Sequence, residues 1–330
     1  MNKVRNLAFI LLFLISNTNL YAEKGQKLKE YSKFLLEQDK IFNKFKERFY
    51  SLDYKKAKKL INYILSKDRD NLLALDYKAL LLYKEKKLKE ALKLVNRSLD
   101  IDKDFLFSWV IRYTILKDVI SPKRKEFIRN KILNSPPEEL YDYFSCGFFW
   151  ELEGEYSKAI KEYDTLLRKY PHHIEALIHK GGCLLRLQEY KEALSCFNEV
   201  ISQNKNIAIA WNNRGIIFMR FKKYNQAKVS FFKSLKINPL FVESWYNLGI
   251  SLLSTGNFED ALLCFDTAIE LNPKFASAWN NKGSIMYFMG KYKEARLCWQ
   301  TAYKIAPQSS AGKDALNNLK VLEKVVKSKK

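Results

Sequence analysis

Apolar positions along the chain fall into pairs of short blocks, each with helical spacing. From residue 276, Trp279, Gly283 and Met286 share one face of a first helix. After Gly290, Tyr292, Ala295, Trp299 and Ala302 share one face of a second, and Pro307 closes it. Polar and charged residues fill the opposite faces, so the pattern predicts a helical hairpin. Stepping back by 34 gives the same set as Trp245, Gly249, Gly256, Phe258, Ala261, Phe265, Ala268 and Pro273. Another step gives Trp211, Gly215, Lys222, Tyr224, Ala227, Phe231, Ser234 and Pro239.

Two small-residue series keep this register, Gly147, Gly181, Gly215, Gly249 and Gly283, and Ala159, Ala193, Ala227, Ala261 and Ala295. A fixed period of that length means a stack of hairpins rather than one core with a pocket. With residue 276 as position 1, the small residue at position 8 is expected to face the small one at 20, so that the helices approach closely. Rings at 4, 17 and 24 would fill the space around that contact. Each hairpin then has a second apolar face that only a neighbour can cover.

The period extends upstream with weaker matches. Unit 140–173 has Tyr143, Gly147, Gly154, Tyr156, Ala159, Tyr163 and Pro171, and unit 174–207 has Leu177, Gly181, Tyr190, Ala193 and Phe197. Unit 72–105 shows Leu75, Ala79, Leu82, Leu88, Ala91, Val95 and Ser98; unit 38–71 shows Tyr54, Ala57, Ile61 and Ile64. Unit 106–139 begins well with Trp109 and Tyr113, but positions 15 to 20 read Ile120, Ser121, Pro122, Lys123, Arg124 and Lys125, and Pro136 and Pro137 close it. Its helices are expected to pack differently, as a plain degenerate repeat or as a bend between residues 38–120 and 140–309. Residues 310–330 form a basic tail in which Leu316, Leu319, Leu322 and Val325 predict a capping helix. Leu28, Tyr31, Leu35 and Leu36 suggest a cap at the other end.

These residues resemble the tetratricopeptide repeat. The likeness is strong over 140–309, as units 140–173, 174–207, 208–241, 242–275 and 276–309, and degenerate over 23–139, with units near 38–71, 72–105 and 106–139. The resemblance implies an all-α, right-handed superhelical solenoid whose first helices line an inner groove with positions 2, 5, 6, 9, 12 and 13. Position 6 carries Asn213, Asn247 and Asn281, and a side-chain amide offers the donor and acceptor that an extended peptide backbone needs. Bonding confined to the hairpin is the alternative for these amides. Around them stand Ile209, Asn212, Ile216, Tyr246, Ile250, Asn280 and Tyr287, while Arg186 and Arg220 at position 13 could meet an acidic side chain. Position 5 holds Phe144, Ile178, Asn212, Tyr246 and Asn280, so the carboxylate clamp of chaperone-binding members is not reproduced.

Charge adds a second theme. The net charge is +22, from 58 Lys and Arg against 36 Asp and Glu, and residues 23–140 alone hold 29 basic and 18 acidic residues. This favours acidic partners or an anionic membrane surface, although much of it is expected to be solvated helix face. The excess is mostly Lys, which lacks the fork that reads bases, and no nucleic-acid module is present, so nucleic acid is not the expected partner.

Lys3 and Arg5 precede an apolar run from Leu7 to Ile15, which reads as an export signal ending at Ala22 or as an uncleaved N-terminal anchor. The five cysteines sit at repeat positions too far apart for a framework of bridges; they are expected to be reduced packing residues, with at most one Cys183–Cys196 pair. His172, His173 and His179 lack partners at informative spacing, and Glu151, Glu153 and Glu155 read as a wet helix end. No catalytic residues, metal ligands or cofactor are expected. The sequence therefore predicts a non-enzymatic scaffold of a bacterial cell envelope or periplasm that holds a partner protein segment in its groove. The alternative is an envelope assembly factor whose basic N-terminal half lies on membrane.

Overall fold

A computed structural model describes residues 37–328, apart from 136 and 138, and every regular element in it is helical. The helices are α1 (37–50), α2 (Tyr54–Lys67), α3 (Leu72–Lys84), α4 (Leu88–Ile101), α5 (Leu106–Leu116), α6 (Pro122–Leu133), α7 (Leu140–Leu152), α8 (Tyr156–Lys169) and α9 (Ile174–Arg186). They continue as α10 (Tyr190–Gln203), α11 (Ala208–Arg220), α12 (Tyr224–Ile237), α13 (Val242–Leu253), α14 (Phe258–Leu271), α15 (Ala276–Phe288), α16 (Tyr292–Ile305) and α17 (Ser310–Ser328). Odd-numbered helices up to α15 are the first of a hairpin and even-numbered ones the second. The architecture is an all-α solenoid of paired hairpins with a terminal capping helix. Residues 1–36, with the expected leader and N-terminal cap, lie outside the described residues.

Two compact units form, one from residues 37–49 and Asp53–Pro136, the other from Tyr50–Leu52 and the chain from Pro137 onward. In the first, Tyr77 is surrounded by Phe42, Phe45, Phe49 and Phe107, with ring centroids 5.3 to 5.7 Å away. In the second, a core cluster runs through Phe218, Phe231, Phe241, Leu248, Leu252 and Phe265.

Each glycine at position 8 lies against the ring at position 24, one of the rings expected around the contact of positions 8 and 20. A Cβ on Gly215 would lie 2.5 Å from the Phe231 ring, on Gly249 2.7 Å from Phe265, and on Gly283 2.7 Å from Trp299. The ring at position 24 occupies the space that a side chain at position 8 would take. The degenerate units keep this volume by other means. Ala79 at position 8 pairs with the smaller Val95 at 24, and Tyr113 fills position 8 of unit 106–139, where Arg129 at 24 is exposed.

Position 15 ends each first helix in the left-handed region: Leu52, Lys86, Gln188 and Lys222 have φ of 57 to 64°, and Gly154, Gly256 and Gly290 of 75 to 80°. Unit 106–139 lacks this turn. Its α5 stops at Leu116 and Pro122 opens α6, which is the local difference the sequence anticipated. In four units Trp at position 4 fastens the hairpin to the loop before it: Nε1 of Trp109, Trp211, Trp245 and Trp279 donates to the carbonyl six residues earlier, at 2.7 to 3.0 Å.

The capping helix buries the expected Leu322 with Leu319 beside it, leaves Leu316 and Val325 half-buried, and adds Ala315 and Val326 to the contact. Ala315 and Leu322 are fully buried, with Leu319 and Val326 beside them, against Trp299, Ala302 and Tyr287. All five cysteines are free thiols, Cys183 and Cys196 included. Burial pushes Cys146, Cys183 and Cys264 up to about 12.

Candidate functional site

Successive first helices of the second unit lie against one another, whereas among the described residues successive second helices do not come as close. The first helices therefore make the inner wall, and position 6 runs along it as His179, Asn213, Asn247 and Asn281. Each of these side chains is fixed by a hydrogen bond. Asn212, only 4% exposed, is the hub. Its Oδ1 accepts from Ser244 Oγ at 3.0 Å and from Asn247 Nδ2 at 3.1 Å, and its Nδ2 donates to Asn213 Oδ1 at 3.2 Å. Asn281 Nδ2 donates to Tyr246 Oη at 3.1 Å. Burial raises the Tyr246 hydroxyl above its ordinary range, so it stays a neutral partner.

The network uses only part of each amide. Among the described residues, Asn213 Nδ2 and Asn247 Oδ1 have no protein partner, so one donor and one acceptor remain on adjacent units of a half-buried wall. Ile209, Ile216 and Ile250 are half-buried on the same helices, and Ile216 and Ile250 pack on the core beneath. The other expected residues separate from this group. Asn280 Oδ1 accepts from Asn318 Nδ2 of the capping helix at 3.2 Å, and Tyr287 belongs to a ring cluster with Phe288, Tyr292 and Trp299. Arg186 and Arg220 are exposed at the ends of α9 and α11.

Sequence reading missed the partner of His179. Its Nδ1 lies 2.8 Å from Glu151 Oε2, which also accepts from Tyr163 Oη at 3.2 Å, so Glu151 is no wet helix end. Phe144 and Phe148 meet the imidazole edge-on at 5.3 and 5.4 Å, and Tyr50 Oη stands 3.4 Å from Nε2. The signal was the register itself, which puts His179 in the row of the asparagines. His172 likewise has a partner, Glu199 at 3.0 Å.

The first unit repeats the hub with a different residue. Asp76 also holds position 5, and its Oδ2 accepts from Ser108 Oγ at 2.6 Å, while Ser108 Oγ also bonds Ser98 Oγ at 2.8 Å. Ser244 and Ser234 occupy those two places around Asn212, 2.8 Å apart. Asp76 is fully buried and its Oδ1 has no hydrogen-bond partner. Burial drives its carboxyl well above the usual carboxylate range, against the smaller opposing effect of the Ser108 bond. Tyr77, packed in rings, fills position 6 beside it, so the amide row belongs to the second unit.

Among the described residues no group of three His, Cys, Asp or Glu converges to hold a metal, and no helix is long and apolar enough to cross a membrane. The polar groups of this wall are amides, hydroxyls and the imidazole of His179, each held by its neighbours.

Comparison with known proteins bears on the fold. Three tetratricopeptide-repeat family models match, over residues 152–211, 242–275 and 264–296. No curated protein matches the sequence as a whole. Among solved structures, one titled as the APC/C hetero-tetramer Cut9-Hcn1 aligns over 92% of this chain and 60% of its own, with a TM-score of 0.70 and 15% identity. A MamA structure aligns over 49% of this chain and 95% of its own, at TM-score 0.45 and 19% identity. A structure of MamA residues 41 to the end from Desulfovibrio magneticus RS-1 aligns over 53% and 98%, at 0.48 and 17%. At such identity the likeness concerns the fold. The family models and the hairpins coincide over residues 152–211 and 242–296, and there the chain carries tetratricopeptide repeats.

Proposed function

We propose that the inner wall of the second unit holds an extended segment of a partner protein across Asn213 and Asn247. The observation that carries this reading is the fixed pair of open groups, Asn213 Nδ2 and Asn247 Oδ1, beside half-buried Ile209, Ile216 and Ile250. A strand-like backbone offers a carbonyl to the first and an N–H to the second, while its side chains cover the isoleucines. Arg220 at the edge favours an acidic segment. Asn212 is the support of the pair rather than a contact. Asn280 and Tyr287 belong with the capping helix, which leaves Asn281 and Tyr246 at the far end of the wall.

The partner belongs to the cell envelope in this reading, because Lys3, Arg5 and the apolar run to Ile15 form an export signal. The test uses the full chain as bait in envelope extract, with wild type beside Asn213→Ala/Asn247→Ala. Loss of the captured protein with an unchanged circular dichroism spectrum is the expected result. Equal capture by both chains would remove the assignment. Cell fractionation tests the location separately, and recovery only with cytoplasmic markers would contradict it.

A further inference from the structure

The second helices of the first unit present a three-by-three grid of outward side chains. Along α2 these are Lys55, Lys59 and Tyr63; along α4, Lys89, Lys93 and Arg97; along α6, Lys123, Phe127 and Lys131. The spacing of four places each trio on one helix face, and the repeat register sets the three faces side by side. Over these helices the sequence has thirteen basic residues against three acidic ones, Glu90, Asp100 and Glu126. Two members of the grid are neutralised, Arg97 by Asp70 at 2.7 Å and Lys131 by Asp104 at 3.0 Å. Lys55, Lys59, Lys89, Lys93 and Lys123 are exposed and make no ion pair among the described residues.

The aromatic members stay largely in the open, although Phe127 meets Trp109 edge-on at 6.3 Å and Lys67 stands 5.7 Å over Tyr63. Phe127 is 64% exposed and Tyr63 42% exposed, and Leu133 near the end of α6 is 42% exposed. Isolated ammonium groups around outward rings suit an anionic bilayer, where the rings enter the headgroup layer and the lysines meet lipid phosphates and carboxylates. A duplex would use the charge but leave the rings in water, and it draws more on arginine.

We propose that this grid docks the protein on an anionic lipid surface, independently of the inner wall of the second unit. At about 1 kcal/mol for each lysine near such a surface, reversing Lys59, Lys89 and Lys93 weakens binding by at least roughly a hundredfold. The test is co-sedimentation of the full chain with vesicles of phosphatidylcholine alone and of phosphatidylcholine with phosphatidylserine, at low and high salt. The readout is the excess binding to the anionic vesicles, which removes any contribution from the apolar run near the N-terminus. The proposal expects a salt-sensitive excess that Lys59→Glu/Lys89→Glu/Lys93→Glu abolishes and Phe127→Ala reduces several-fold, each variant keeping the wild-type circular dichroism. No excess at low salt, or an excess unchanged in the triple variant, overturns it. So does duplex DNA binding more tightly than the vesicles with no response to Phe127→Ala.

Discussion

Asp76 shows how one atom changes the behaviour of an otherwise repeated site. Its serine partner, Ser108, stands at the repeat position that Ser244 holds beside Asn212, but Asp76 carries an acid where the other hub carries an amide. Its folded-state pKa is raised, so above the ordinary carboxylate range near 4 the folded chain retains a proton that the unfolded chain has released. Stability is therefore full below that range and declines as pH climbs toward the raised value. Asp76→Asn keeps the shape and removes the charge. The variant is expected to match wild type near pH 4 and to be more stable at pH 8, by about 1–3 kcal/mol. Urea unfolding at the two pH values decides the matter; a variant less stable at both would show that the carboxyl itself is needed.

Within a hairpin, the pairing of position 8 with position 24 is the main packing decision. Gly215→Ala gains about 1 kcal/mol of helix propensity, yet its Cβ would sit 2.5 Å from the Phe231 ring. The ring is fully buried between helices, so net destabilisation of about 1–3 kcal/mol is expected. The first unit supplies the compensating change, because Ala79 tolerates its Cβ beside Val95. Phe231→Val alone should cost about 2–4 kcal/mol through the cavity it leaves. Combined with Gly215→Ala, the loss should be smaller than the sum, and a double-mutant cycle from urea midpoints measures that coupling. Strict additivity would mean that the two positions do not share one space.

At the scale of the molecule, the repeat register made the hairpins, their turns and the C-terminal cap legible before any coordinates, because each residue type recurs for the same physical reason. Periodicity tells which positions share a face but not which side chains cross to the neighbouring helix. The ring at 24 was expected around the contact, but that it fills the place of the missing side chain at 8 appears only once the helices are stacked. Glu151 and His179 are 28 residues apart and each looks solitary in its own helix, so their pairing appears only when helices are stacked. The same limit applies to the inner wall: the asparagine row was visible, but its hub at Asn212 and the diversion of Asn280 to the cap were not. In such an array each hairpin is stabilised chiefly by its neighbours, and the last one has only α17 on its open side. Leu322 is fully buried there beside Trp299 and Ala302. Leu322→Asp places a charge in that contact and is expected to cost about 3 kcal/mol or more, with the loss confined to the end of the stack. Hydrogen exchange should then accelerate over 276–328 and stay near wild type over 140–241. Uniform acceleration across both segments would mean that the second unit unfolds as a single block, and the nearest-neighbour account of its stability would fail.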